Sequence, residues 1–186
     1  MLAPYVLILV CWLVLIFYWL VSSFNTKRYA SRNLWTWRPR LLILVIILFA
    51  LHVPVVDNTL AREVSFVSPL WMRWLGVVVC ALGVALAIWA RVYLGRNWGM
   101  PMSLKQDAEL VTTGPYEYIR NPIYTGFLLA MLGATLATFW WVVALVVMGG
   151  YFIWSSLTEE KIMLKAFPQQ YPPYKARTWR LIPYVW

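Results

Sequence analysis

Apolar positions in this chain fall in long uncharged blocks separated by short basic segments. Pro4 to Ser22 carries no charge. Leu41 to Val56 is a shorter block that ends beside Pro54, and Trp71 to Ala90 is broken only by Arg73. Asn121 to Thr158 runs 38 residues without a charged side chain. A helix needs about 20 apolar residues to cross the hydrocarbon of a bilayer. At 1.5 Å per residue the last block is about 57 Å long, roughly twice that thickness. It therefore predicts two helices in a hairpin, with the turn around Thr138 to Trp141. The expected fold is all-α, with five transmembrane helices of which the last two form the hairpin. One membrane domain then covers residues 1–186, with three N-terminal spans in 1–90 and a second half in 91–186.

Charge gives the orientation. The segment Ser23–Arg40 holds Lys27, Arg28, Arg32, Arg38 and Arg40 and no acid. Arg91–Arg120 holds Arg91, Arg96, Lys105 and Arg120, and the tail after Thr158 holds Lys161, Lys165, Lys175, Arg177 and Arg180. Five spans place all three basic segments on one face, leaving Arg62 and Arg73 on the other. Lys and Arg favour the cytoplasmic side, so the N-terminus is expected outside and the C-terminus inside. Any chemistry then belongs to the cytoplasmic side, because the outer loops are meagre. The short, loop-poor chain suits a bacterial or archaeal inner membrane.

Composition supports the same class. Hydrophobic residues make up 62% of the chain, against about 45–50% in soluble domains. Thirteen Trp and eleven Tyr suit the membrane–water boundary. The net charge of +9 is divided among separate loops, which fits anionic lipid rather than nucleic acid. Cys11 and Cys80 lie inside apolar blocks and His52 stands beside a proline, so no metal-ligand spacing is present. Two helices carry small residues at four-residue spacing: Gly83 and Ala87, then Gly126, Ala130 and Ala134. They predict close helix contacts in lipid. Gly149-Gly150 marks a close contact or a bend in the last span.

Two stretches concentrate polar chemistry. In Glu109–Gly126, Gly114-Pro115 reads as a turn, Asn121 as an N-cap and Pro122 as a first helical residue. Those structural roles leave the density of Tyr116, Tyr118, Arg120, Asn121 and Tyr124 unexplained. A helix beginning there aims free N–H groups and a positive dipole end at any carboxylate or phosphate. In the second stretch, Glu159-Glu160 follows the last span, ahead of Phe167, Tyr171, Tyr174 and Arg180. The pair reads equally well as the first turn of a tail helix capped by Thr158 or as a polar site at a membrane exit.

Together the blocks Leu110-Val-x-x-Gly114-Pro-Tyr116, Arg120-Asn-Pro-x-Tyr124, Glu159-Glu160 and Phe167-x-x-x-Tyr171-x-x-Tyr174 resemble the isoprenylcysteine carboxyl methyltransferase family. That wider group of membrane enzymes includes phospholipid methyltransferases. The resemblance runs from Gly95 to the C-terminus, roughly half the chain. It implies a cytoplasmic S-adenosylmethionine pocket closed by the C-terminal tail, and methyl transfer to a lipophilic small-molecule or lipid-anchored acceptor. Carried over, the cofactor-binding positions are Ala108, Glu109, Leu110, Val111, Tyr116, Asn121, Pro122, Ile123, Tyr124 and Glu159. Glu159, Glu160 and Arg120 are the catalytic candidates, with Glu160 or water to take a proton from an amine or thiol. Some family members have histidine at Asn121, and asparagine does not titrate near neutrality. Prenylcysteine-type members have an arginine for the acceptor's carboxylate where this chain has Ser155. The C-terminal Trp179-Arg-Leu-Ile-Pro183 is also similar to membrane sterol reductases, which makes an NADPH-dependent reductase one alternative. A non-catalytic homologue is the other.

Overall fold

The computed structural model describes residues 2–23, 68–98 and 109–185. The expected second span, Leu41–Val56, lies outside these residues, as do His52, Arg62 and Ala108. The regular structure among the described residues is helical, apart from one isolated backbone bridge. Helix α1 covers Ala3–Ser23, α2 Leu70–Leu94, α3 Pro122–Ala137, α4 Trp141–Ala166 and α5 Tyr171–Ala176.

Three of these, α1, α2 and α4, are long and apolar enough to cross a membrane. Large side chains such as Phe17, Leu20, Trp71, Leu82 and Val146 are exposed along them, an arrangement that suits lipid rather than water. The protein is an integral membrane protein. Helix α3 has 16 residues, about 24 Å, which is shorter than the hydrocarbon core of a typical bilayer. It begins at Pro122 and stops at Thr138, whose φ of −144° and ψ of 108° are extended. The hairpin turn thus falls where the uncharged block predicts it.

Helix α2 packs against α3 through the small residues. A methyl group added to Gly126 would stand 2.6 Å from the Ala87 nitrogen and 2.7 Å from the Gly83 carbonyl oxygen. Gly76 approaches Gly133 just as closely, its added Cβ lying 2.5 Å from the Gly133 oxygen. Cys80, Ala87, Ala130 and Ala134 fill the seam and are essentially buried. Backbones in such contact gain dispersion energy that bulkier side chains would forfeit.

Helix α1 lies along α2 in the same direction. The Arg73 guanidinium sits 5.4 Å from the Tyr5 ring near the start of both helices. Near their ends, Arg91 Nη2 donates to the Ser22 carbonyl at 2.7 Å. A parallel pair is what the expected topology requires of spans one and three. Trp12 stacks on Trp141 at 5.3 Å, and Trp19 meets Phe127 edge-on at 5.3 Å, so α1 also braces α3 and α4.

Two expectations change. Helix α4 does not end at Thr158 but continues through Glu159 and Glu160 to Ala166. The Thr158 hydroxyl donates back to the Trp154 carbonyl at 3.0 Å, the bond of a mid-helix threonine rather than of a cap. Gly149 and Gly150 lie within the continuous α4 and draw no close neighbour in among the described residues. The nearest atom to an added Gly149 Cβ is Leu128 Cδ2 at 3.8 Å, and Gly150 faces open space among the described residues.

Candidate functional site

The site lies where α3 begins and α4 nears its end. Its approach is the segment Glu109–Asn121. The Glu109 N–H donates to Asn97 Oδ1 at 3.4 Å, and Leu110 and Val111 are half-buried. Gly114 then turns the chain at φ +63°, and an added Cβ would strike the Tyr93 ring at 2.5 Å. Conformation and space both demand glycine there. A 3-10 turn over Gly114–Glu117, with Pro115 at its start, buries Tyr116.

Tyr116, Tyr124 and Glu159 are brought into one polar region. The Tyr124 hydroxyl donates to Glu159 Oε1 at 2.5 Å and lies 3.1 Å from Ser155 Oγ. Ser155 Oγ also reaches Glu159 Oε1, at 3.3 Å. The Tyr124 ring stacks on Phe152 at 4.6 Å, which fixes its hydroxyl toward α4. Burial pushes the Tyr116 phenol far above its ordinary range, and the Tyr174 and Glu159 charges add to that while Arg91 opposes it. Tyr116 therefore stays protonated, a neutral hydroxyl that can donate or accept a hydrogen bond.

The sequence reading left Ser155 as a departure and did not single out Tyr151. Tyr151, Ser155 and Glu159 recur every four residues, so a continuous α4 presents them on one face. The Tyr151 hydroxyl is buried without a hydrogen-bond partner among the described residues. A helix drawn on past Thr158 would have revealed this stripe.

Glu160 points elsewhere, into a cluster of cations on the tail. Lys175 Nζ contacts its Oε1, while Arg180 reaches Oε2 through Nη2 at 2.9 Å and Nε at 3.1 Å. Arg120 Nη2 lies 4.0 Å from the same Oε2. Arg120 Nη1 also donates to the carbonyls of Lys175, at 3.0 Å, and Thr178. Burial pushes the neighbouring Tyr171 phenol up to about 12, with Glu160 adding to the effect.

The tail also pairs with the start of α3. Trp179 N–H donates to the Tyr118 carbonyl at 3.0 Å, and Arg120 N–H to the Trp179 carbonyl at 2.7 Å. Asn121 gives both its backbone N–H and its side-chain amide to the Arg180 carbonyl, each at 3.1 Å. Its side chain therefore does not cap α3. Pro122, which has no N–H, is fully buried behind it, and the half-buried Ile123 packs on the core beside Tyr124. Thr125 Oγ1 donates to the Leu181 carbonyl at 2.6 Å. The dipole end expected to receive a ligand is thus partly occupied by the protein's own carbonyls. Ile123 and Tyr124 are left to supply N–H groups.

These features define a class: a helical membrane protein with a carboxylate and hydroxyl cluster at one end of the bundle, its C-terminal tail paired with the adjoining start of α3. The profile of the phospholipid methyltransferase family matches residues 71–170, and the chain belongs to that family. Its fold is similar to that of the eukaryotic intramembrane Ras methyltransferase isoprenylcysteine carboxyl methyltransferase (ICMT). The TM-score is 0.60 at 21% identity, over 84% of this chain and 55% of that one. This chain thus spans about half the length of that relative. No curated protein sequence matches it.

Proposed function

We propose that this protein is an S-adenosylmethionine-dependent methyltransferase that modifies a lipophilic acceptor at the cytoplasmic face. Membership of the phospholipid methyltransferase family supports the reaction class. The observation that carries the site is the Tyr124–Ser155–Glu159 cluster. Its chemistry fits the cofactor: a carboxylate accepts hydrogen bonds from sugar hydroxyls, and aromatic walls beside a carboxylate suit a sulfonium. When bound, the cofactor supplies an activated methyl group, so the protein's task is alignment and exclusion of water.

The residues divide that task. Glu159 holds the cofactor, with Tyr124 and Ser155 fixing its Oε1. Tyr116, Pro122, Ile123, Tyr124 and the segment Glu109–Val111 wall the pocket, and Asn121 ties that wall to the tail. Glu160 and Arg120 act as positioning residues by clamping the tail over the site. Glu160 has both oxygens engaged by Lys175 and Arg180, so water is the better candidate to take an acceptor's proton.

Ser155 narrows the acceptor. It is fully buried and its hydroxyl is engaged with Tyr124 and Glu159. A carboxylate acceptor would meet Glu159 there with no cation from this position to balance it, whereas an amine or thiol would not be repelled. The acceptor is therefore a lipid-borne amine or thiol. Titration calorimetry in detergent with S-adenosylmethionine, its demethylated product and NADPH tests this reading. Binding of the first two supports it. Binding of NADPH alone overturns it in favour of a reductase, and binding of none in favour of a non-catalytic homologue.

A further inference from the structure

Arg91 has no part in the proposed methyl transfer, yet it is 3% exposed. Its Nη1 donates to the Gly95 carbonyl and its Nη2 to the Ser22 carbonyl, both at 2.7 Å. Its guanidinium carbon lies 4.7 Å from the centre of the Trp98 ring. Its Nε is buried with no hydrogen-bond partner, and among the described residues no carboxylate pairs with it. A buried guanidinium without an anion is several kcal/mol less stable than a compensated one. Two carbonyls and an aromatic face offset part of that, but none of them carries charge.

The same arginine lines a cleft of about 220 Å³, whose other walls are Tyr18, Ser22, Val92 and Gly95. The cleft sits between the ends of α1 and α2. Val92 on its wall is exposed, as is Val21 next to Ser22 on α1. A molecule settling there keeps an apolar body against those side chains and its head beside Arg91. Guanidinium matches phosphate geometry better than any other side chain does.

We propose that this cleft is a binding site for the phosphate of a membrane lipid, with Arg91 as its cation and the acyl chains left in the bilayer. Arg91 also acts electrostatically on Tyr116, but the proposal does not depend on the methyltransferase reading. An anion there completes the hydrogen bonding of Arg91 and ties α1 to α2 at the membrane boundary. Inorganic phosphate offers the same oxyanion without the apolar body, so the two sources can be told apart.

The test is native mass spectrometry of the delipidated full-length protein in detergent, titrated with phosphatidylglycerol or with diacylglycerol of the same chains. Inorganic phosphate is added as a competitor. Two variants are compared with the wild type. Arg91→Gln removes the charge, and Val92→Trp fills the mouth of the cleft while leaving the Arg91 hydrogen bonds intact. The wild type is expected to retain phosphatidylglycerol over diacylglycerol, and both variants to bind it about tenfold more weakly, a change of about 1.4 kcal/mol. Binding of S-adenosylhomocysteine by Val92→Trp is expected to be unchanged. Equal retention of the two lipids would overturn the proposal, as would undiminished lipid binding by a folded Val92→Trp. Displacement of the lipid by equimolar inorganic phosphate would assign the site to free phosphate instead. Loss of S-adenosylhomocysteine rather than of lipid would assign Arg91 to the cofactor.

Discussion

The Tyr124 hydroxyl donates to Glu159 at 2.5 Å across 35 residues of sequence. That bond joins the first turn of α3 to the last third of α4, and it orients the carboxylate on which the proposed cofactor site depends. A hydrogen bond to a charged group contributes about 1.5–3 kcal/mol. Tyr124→Phe keeps the stack on Phe152 and removes only the hydroxyl. Chemical unfolding in detergent should show a loss within that range, and calorimetry should show S-adenosylhomocysteine binding weakened about tenfold. An unchanged affinity would mean that Glu159 does not hold the cofactor.

The clamp on Glu160 makes a separate prediction. Its side chain is 8% exposed and that of Arg180 is 14% exposed, whereas Lys175 is 42% exposed. Arg180 therefore carries most of the interaction and Lys175 little, since solvent screens an exposed pair. Glu160→Gln should remove the buried carboxylate that Arg180 and Arg120 approach and destabilise the tail by about 3 kcal/mol. Hydrogen exchange should rise at Tyr118–Asn121 and Trp179–Leu181 before it rises in α2. Unaltered protection at those amides would show that the backbone pairing holds the tail without the ion pairs.

Much of this architecture is legible in the chain. The 38-residue uncharged block gave its hairpin turn, and the four-residue spacing of Gly126, Ala130 and Ala134 gave the α2–α3 seam. The end of α4 was not legible, because Thr158-Glu159-Glu160 satisfies the local rule for starting a helix. What overrides it is non-local: Glu160 meets Lys175 and Arg180, 15 and 20 residues further on. The pairing of Trp179 with Ile119 left no mark either, since it is made by backbone groups that every sequence carries. Arg91 looked like one more basic residue at a membrane boundary. Only packing shows that its charge is turned inward.

The glycines in the seam between α2 and α3 tolerate no side chain. Gly126→Leu would force its Cβ to within 2.6 Å of the Ala87 backbone nitrogen. Backbone cannot yield as a flexible side chain can, so the loss should exceed the roughly 1–3 kcal/mol of ordinary overpacking. Gly150→Leu adds the same bulk where nothing among the described residues lies within 4 Å, and should leave the melting temperature in detergent nearly unchanged. Similar losses for both would contradict the packing described here.

Alkaline pH should loosen the tail. Tyr171 is buried and its phenol is raised from 10.0 to about 12, so the folded protein keeps the proton more tightly than the unfolded chain does. The contribution is complete below pH 10 and declines as pH rises from 10 towards 12, where the unfolded chain alone has ionised. Unfolding followed by Trp fluorescence should show stability falling over that window. Tyr171→Phe should flatten the fall, and an identical pH profile for the variant would exclude Tyr171 as its source.

The most direct measurement is methyl transfer itself. Purified protein in detergent is incubated with S-adenosylmethionine labelled in its methyl group and a total membrane lipid extract, and the organic phase is counted. Label should appear in amine- or thiol-bearing lipid with the wild type and fall at least tenfold with Glu159→Ala. Label confined to the aqueous phase, or equal labelling by the two proteins, would contradict the proposed function.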